Sequence, residues 1–139
     1  MKPNVSVFIF RRDLRVEDNA ALLELFQNEK DVPILPIFIF NPKQVSNRNK
    51  YYGSNAVEFM IESLEDLDTT MNHKMHYFYG SDIDVLNKLL MKVNITTIAF
   101  NADITPFARK RDLGIKEWCY KKNIKCIIAD DYTLFEPYF

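Results

Sequence analysis

Five short apolar runs along the chain alternate with segments in which apolar residues recur every three or four positions. The runs comprise residues 5–10, 32–40, 75–79, 97–100 and 124–129. Within each run the apolar residues are continuous rather than alternating, which is typical of parallel strands covered on both faces. The pattern therefore predicts five buried strands.

The segments between the runs have the spacing of helices that bury one face. In the longest connection, apolar residues follow one another by three or four positions at Ala56, Met60, Leu64, Leu67 and Met71. In the next connection the same spacing joins Ile83, Leu86, Leu90 and Val93.

Polar residues mark where three of these helices begin. Asp18-Asn19 precedes an apolar helical segment, and Thr105 followed by Pro106 is a favourable N-cap with proline at the first helical position. Asn55 with Glu58 three residues later resembles a capping box. The repeated order strand, helix, strand predicts one α/β domain over residues 1–139, a Rossmann-like, doubly wound parallel sheet with right-handed crossovers.

Composition narrows the class of protein. The 139 residues are 47% apolar and 27% charged, with a net charge of -1, so we expect one folded domain without a broad positive field for nucleic acid or membranes. Cys119 and Cys126 are too few for a disulfide framework and are interpreted as ordinary reduced cysteines. The amino terminus resembles neither a signal peptide nor a spanning helix, which favours an intracellular protein.

Several common motifs are absent from the sequence. With glycine only at positions 53, 80 and 114, neither a GxGxxG dinucleotide turn nor a phosphate-binding P-loop can be written. The GxSxG nucleophile elbow is missing as well. The missing motifs therefore argue strongly against an ordinary dehydrogenase or nucleotide hydrolase of this fold.

Ligands of open α/β sheets bind beyond the carboxyl ends of the strands, so the residues that follow each strand are the candidates for chemistry. Arg11, Arg12 and Arg15 follow the first predicted strand. They are either neutralised by Asp13 and Asp18 in a structural turn, or they bind an anionic or planar ligand, since guanidinium groups fork onto oxygens and stack on rings.

Other strand ends carry further candidates. Asn101 and Asp103 can hydrogen-bond the edge of a heterocycle, and the helix start at Thr105 offers amide donors, although simple capping explains these residues equally well. Phe40 either walls an aromatic pocket or belongs to the core.

Two charged features have a simpler interpretation. The basic run at residues 109–111 is either a solvated helix face or a docking site for a partner domain or nucleic acid. His73 and His76 lack the pattern of metal ligands, and we expect no metal site. No motif unites a base, a nucleophile and an orienting group, so we expect no catalytic residues and interpret the chain as a binding domain.

Two of these segments resemble the signatures of a known family. Residues 8–15 (FIFRRDLR) with Asp18-Asn19 are similar to the opening signature of the DNA photolyase and cryptochrome family, and residues 100–112 (FNADITPFARKRD) to its second signature. Residues 38–42, 59–67 and 131–135 also fit, in the right order. The chain is identified on this basis as the N-terminal α/β domain of that family.

The resemblance implies strand order 3-2-1-4-5 and a light-harvesting antenna chromophore, which would be a folate, a deazaflavin or FMN. In complete members the antenna passes energy to reduced FAD in a helical C-terminal domain, which flips out a pyrimidine dimer and splits it. Since the chain stops at Phe139, we expect it to lack the FAD site and DNA groove, and to act in DNA repair only with a separate FAD-binding domain as its partner. We expect no membrane partner.

Carried over position by position, the resemblance implies an antenna pocket formed by Arg11, Arg12, Ile39, Phe40, Asn41, Asn101, Asp103 and Thr105. The sequence departs from the family at two positions. Many members have glutamate where Thr105 stands, and several have arginine in place of Ala56. These departures leave the choice of antenna open.

The sequence alone leaves four alternative functions open. The chain could be the antenna part of a photolyase, arising from a split gene or a shortened form, or a signalling and docking module of cryptochrome type. A stand-alone nucleotide-binding domain without light function is a third alternative, and a degenerate remnant is a fourth. The intact apolar runs argue against the last of these.

Overall fold

A computed structural model describes residues 2–11, 14, 16, 19–41, 54–103 and 105–129, with the side chains of residues 54–57 omitted. Strands and helices alternate along it. The elements are β1 (Asn4–Phe10), α1 (Ala20–Asn28), β2 (Ile34–Phe40), α2 (Ser54–Thr70), β3 (His76–Tyr79), α3 (Asp82–Leu90), β4 (Asn94–Asn101), α4 (Pro106–Lys122) and β5 (Lys125–Ala129).

The five strands form one parallel sheet in the order β3-β2-β1-β4-β5. Phe8 of β1 lies opposite Pro36 of β2 on one side and Ala99 of β4 on the other. Since β1 is central, the chain winds outward in one direction through β2 and β3, and in the other through β4 and β5. The predicted fold class and strand order are confirmed.

Two apolar layers sandwich the sheet, as continuous apolar strands require. One layer, here called the α3/α4 face, packs Val7, Ile9, Ile98 and Phe100 of the sheet against Val85, Leu86, Ile115, Trp118 and Cys119. The other, the α1/α2 face, packs Phe8, Phe10, Phe38 and Ala99 against Ala21, Leu22, Leu25, Leu64 and Leu67.

The ends of the helices follow the predicted capping residues. Asn19 caps α1 by accepting a hydrogen bond from the Leu22 amide, and Thr105 caps α4 by accepting one from the Ala108 amide. At its other end α4 terminates at Asn123, which adopts a left-handed conformation (φ 59°), and the Ile124 amide donates to the Cys119 carbonyl at 2.8 Å. This cap turns the chain directly into β5.

The predicted capping box depends on the side chain of Asn55, which lies outside the described side chains. None of the four described helices is both long enough and apolar enough to span a bilayer.

Candidate functional site at the carboxyl edge of the sheet

The winding direction of the chain reverses between β1 and β4, which are neighbours in the sheet. In open α/β sheets this reversal opens a crevice beyond the carboxyl ends of the two strands. Arg11 follows β1, Asn101 ends β4, and Asn41 follows β2 at the same edge. The candidate site therefore comprises the polar residues along this edge.

Arg11 is turned onto the α3/α4 face and anchored there. Its Nη1 donates a hydrogen bond to Oδ1 of Asp112 in α4, and its Nη2 lies 3.9 Å from Oδ2 of Asp82 at the start of α3. The guanidinium carbon lies 4.2 Å from the centre of the Phe100 ring, within the range of a cation–π contact. Arg11 thus joins β1 to both helices of this face.

Arg111 completes a charged cluster, defined as Arg11, Asp82, Arg111 and Asp112. The Arg111 Nε lies 3.6 Å from Asp82 Oδ2 and 3.5 Å from Asp112 Oδ1. The four side chains are only 9–12% exposed. Two positive and two negative charges are therefore balanced within one largely dry site.

Burial shapes the protonation of this cluster. It lowers the pKa of Arg11, and the positive charge of Arg111 lowers it further, while Asp112 and Asp82 oppose the shift. Burial raises the pKa of Asp82, against the opposing influence of the two arginines. The two carboxylates offset the charges of the two arginines, and these ion pairs tie α3, α4 and β1 together.

Asn101 serves the opposite face of the sheet. Its Oδ1 accepts a hydrogen bond from the Ala21 amide at 2.9 Å, and its Nδ2 donates to Oδ1 of Asn19 at 2.7 Å. Asn19 in turn caps α1 through the Leu22 amide at 3.1 Å. Asn101 and Asn19 form the amide cluster, which holds the first turn of α1 against the end of β4.

The residues that follow β4 are more exposed to solvent than Asn101, its last residue. Asp103 is half-buried, and Thr105 is exposed while its hydroxyl accepts from the Ala108 amide at 3.1 Å. Asp103 and Thr105 flank residue 104 at the edge, ahead of the first turn of α4. A carboxylate, a hydroxyl and a helix start therefore follow one another in sequence just beyond the end of β4.

The end of β2 supplies aromatic surface and an amide. Ile39 is buried among the α3/α4 core residues and Phe40 is half-buried, 4.9 Å from Phe38 and 6.3 Å from Tyr77 between ring centres. Asn41 is half-buried at the edge. Phe40 is thus partly a core residue and partly exposed at the edge. Its burial is therefore intermediate between that of a core residue and that of a pocket wall.

The expected pocket residues are distributed over both faces. Arg11 and Ile39 belong to the α3/α4 face and Asn101 to the α1/α2 face, whereas Asn41, Asp103 and Thr105 extend beyond the strands. Arg12, Asp13, Arg15 and Asp18 lie outside the described residues.

The basic run at residues 109–111 is divided by the fold. Arg109 and Lys110 are exposed, whereas the Arg111 side chain is only 12% exposed and faces the two aspartates. Interpreting the whole run as a solvated face is therefore correct for two of its three members. His73 forms a hydrogen bond with Asp68 at 3.1 Å, and the described residues contain no group of three metal-ligating side chains.

Asp82 and Asp112 are the polar residues that sequence reasoning missed. A signal for Asp112 was present, because Ala108, Asp112, Ile115 and Cys119 follow one another at helical spacing and all are buried. A carboxylate within an apolar stripe predicts a buried partner of opposite charge. Asp82 stands in the same relation to Val85, Leu86 and Leu89 of α3.

The described elements define a doubly wound α/β domain with polar residues along the carboxyl edge of its sheet. The sequence profile of the DNA photolyase family, described as "DNA photolyase", matches residues 6–138. The chain belongs to this family.

Individual relatives include both photolyases and cryptochromes. Cryptochrome-1 of Aedes aegypti is 32% identical over 139 residues, covering 95% of this chain and 25% of the cryptochrome. Cryptochrome-1 of Anopheles gambiae is 30% identical, covering 95% and 26% respectively. The chain thus spans about a quarter of the length of these relatives.

Solved structures share the fold. An archaeal photolyase from Sulfolobus tokodaii, crystallised with two FAD molecules, has a TM-score of 0.81 and 36% identity over 94% of this chain and 30% of its own. A cryptochrome from Synechocystis sp. PCC6803 has a TM-score of 0.83 with 17% identity, over 94% of this chain and 28% of its own. At 17% identity the latter shows the fold alone.

Proposed function

We propose that this chain is the antenna-binding domain of a photolyase, and that it binds a flavin or another planar chromophore at the carboxyl edge of its sheet. The observation that carries the proposal is the 36% identity to the Sulfolobus tokodaii photolyase over 94% of this chain. The crystal of that photolyase holds two FAD molecules, with the implication of a novel light-harvesting cofactor.

The chemistry of the edge supports binding rather than catalysis. The charges closest to the β1–β4 crevice are paired with each other in the charged cluster, and Asn101 is engaged by the start of α1. The more open groups are the Asn41 amide, the Asp103 carboxylate and the Thr105 helix start. Amides both donate and accept hydrogen bonds, which suits the mixed polar edge of an isoalloxazine or pterin ring.

Absorption and fluorescence spectroscopy of the purified chain test this proposal. The protein is incubated separately with FAD, FMN, a deazaflavin and methenyltetrahydrofolate, desalted, and scanned in the near-ultraviolet and visible. We expect one chromophore to remain bound and to saturate. A folded chain that retains none of the four contradicts the proposal.

Substitutions test whether the chromophore binds at the carboxyl edge of the sheet. Asp103→Ala and Asn41→Ala are each expected to weaken binding about tenfold, the loss of roughly one charge-assisted or neutral hydrogen bond. Asp31→Ala removes an exposed carboxylate before β2, at the opposite end of the sheet, and is the matched control. Equal affinity in all three variants would place the chromophore elsewhere.

Arg12 provides a separate test, because its role is an expectation from the family signature. Arg12→Ala is expected to weaken binding of an anionic or planar chromophore while leaving the far-ultraviolet circular dichroism unchanged. Binding equal to that of the unsubstituted chain would remove Arg12 from the pocket.

The proposed partner is an FAD-binding helical domain, through which damaged DNA would be reached. Repair of pyrimidine dimers under blue light, measured after mixing the chain with such a domain from a related photolyase, is the functional test. Repair stimulated by the chromophore-loaded chain supports an antenna role. A reconstituted complex without repair would favour a cryptochrome-type signalling role.

A further inference from the structure

The two cysteines of the chain meet where α4 turns into β5. Cys119 lies in the last turns of α4 and Cys126 is the second residue of β5. The left-handed cap at Asn123 and the hydrogen bond from the Ile124 amide to the Cys119 carbonyl reverse the chain between them. The short intervening segment therefore forms a tight connection that places the two thiols on neighbouring elements.

Both side chains point into the same apolar layer. Cys126 is paired in register with Ile98, a buried residue of the α3/α4 face, and side chains of register partners in a parallel sheet share a face. Cys119 belongs to that layer, and Cys126 packs against it. The two thiols are near enough that each shifts the pKa of the other.

The two thiols differ in exposure and in proton affinity. Cys119 is buried at 1% exposure, whereas Cys126 is half-buried. The neighbouring Cys119 thiol lowers the pKa of Cys126, and Lys116 and Arg11 act in the same direction against burial and Asp112. The neighbouring Cys126 thiol, together with burial, raises the pKa of Cys119.

We propose that Cys119 and Cys126 form a redox-modification site, in which peroxide converts the two thiols into a disulfide that fastens α4 to β5. Both cysteines are free thiols in the structure. Since sulfur atoms in a disulfide are about 2 Å apart, the two side chains rotate toward each other when the bond forms.

The reaction balances with hydrogen peroxide as the oxidant. The Cys126 thiolate attacks one peroxide oxygen, the O–O bond breaks, and the departing hydroxide takes up a proton to become water, which leaves a sulfenic acid. The Cys119 sulfur then attacks the Cys126 sulfur, the S–O bond breaks, and the Cys119 proton leaves with the hydroxide as a second water. Two thiols are oxidised by two electrons in total, and one peroxide is reduced to two waters.

Peptide mapping of the intact chain tests the proposal. The purified protein is treated with a small excess of hydrogen peroxide at neutral pH, alkylated and digested with trypsin. Cleavage after Lys116, Lys121 and Lys125 separates the cysteines into peptides 117–121 and 126–139. We expect these two peptides to be recovered as one disulfide-linked species that dithiothreitol separates, with the loss of both alkylatable thiols.

Single substitutions test which cysteine reacts with peroxide and which one then closes the disulfide. In Cys119→Ala, Cys126 is expected to be trapped as sulfenic or sulfinic acid. In Cys126→Ser, the buried Cys119 is expected to remain alkylatable after unfolding. Fluorescence of Trp118, adjacent to Cys119 in sequence, gives an independent readout, because we expect a nearby disulfide to quench it and reductant to restore it.

Three results would overturn the proposal. They are unreacted thiols in the unsubstituted chain, accumulation of Cys126 sulfinic acid without the linked peptides, and covalent dimers joined through Cys126 of two chains. The first experiment uses no variant, so a substitution that fails to fold leaves the test intact. None of these outcomes depends on chromophore binding, and the proposal is therefore separable from the antenna function.

Discussion

The two polar clusters at the carboxyl edge achieve the same structural task with different chemistry. On the α3/α4 face, four buried charges connect β1 to two helices. On the α1/α2 face, two neutral amide side chains connect β4 to one helix. Each member of the charged cluster depends on the others, since a buried charge is tolerated only when it is paired, whereas a lost amide costs little more than its own hydrogen bonds.

The largest effect is expected from breaking the charge balance. Asp112→Asn leaves Arg11 and Arg111 with Asp82 as the remaining carboxylate of the cluster, so we expect a loss of about 3–5 kcal/mol in the free energy of unfolding. Urea denaturation followed by circular dichroism measures it. Glu117→Gln, an exposed acid-to-amide change on the same helix, is the control, and an equal effect in both variants would show that the cluster contributes little.

A smaller loss in the free energy of unfolding is expected when the amide cluster is broken. Asn101→Ala removes the acceptor of the buried Ala21 amide and the donor to Asn19, which should cost about 1–3 kcal/mol by leaving polar groups without partners. Asn94→Ala, at the exposed amino end of the same strand, is the control in the same denaturation assay. If Asn101→Ala proved as costly as Asp112→Asn, the distinction between the clusters would fail.

Removing the N-cap of α4 at the same edge should reduce the free energy of unfolding by a still smaller amount. Thr105→Ala removes the side-chain acceptor of the Ala108 amide, and N-cap losses cost about 1 kcal/mol. Thr105→Ser keeps a hydroxyl and should retain most of the stability. A Ser variant as unstable as the Ala variant would indicate that Thr105 acts through its methyl group rather than as a cap.

The smallest expected effect is a dependence of folding stability on pH. Because burial raises the pKa of Asp82 above its ordinary value of 3.8, the folded state takes up this proton at higher pH than the unfolded state does. The unsubstituted chain should therefore gain stability relative to Asp82→Asn as pH falls through the raised pKa, and lose that gain as pH rises.

Denaturation at several pH values between about 4 and 8 measures this trend. The difference between the unsubstituted chain and Asn101→Ala should stay flat over the same range, because asparagine does not titrate. A flat Asp82→Asn difference would show that the two arginines offset the influence of burial on the pKa of Asp82.

Local sequence was sufficient for much of the fold. The apolar runs located all five strands to within a few residues, although β4 (Asn94–Asn101) extends beyond the predicted residues 97–100 at both ends. Asn94 and Thr96 are polar residues that can occupy a strand because they sit near its exposed amino end. The helix starts at Ala20 and Pro106 followed directly from their caps.

The partners in the candidate site could not be obtained in the same way. Arg11 bonds Asp112 across 101 residues of sequence, and this contact arises only once the crossovers place α3 and α4 together over β1. The sequence also offered nearer acids at positions 13 and 18, which made a local turn the simpler interpretation. Which side chains bind a chromophore stays a prediction, because a strand end brings residues to an edge without specifying the face to which they turn.

The central position of β1 has a consequence for how the chain folds during synthesis. β1 can pair with β2 as soon as residue 40 has emerged, but its other edge pairs with β4, whose last residue is Asn101. At translation rates of about 5–20 residues per second, the intervening stretch of about 60 residues takes roughly 3–12 s. Throughout that interval the N–H and C=O groups along one edge of β1 lack their second strand, and such an edge can pair with other chains.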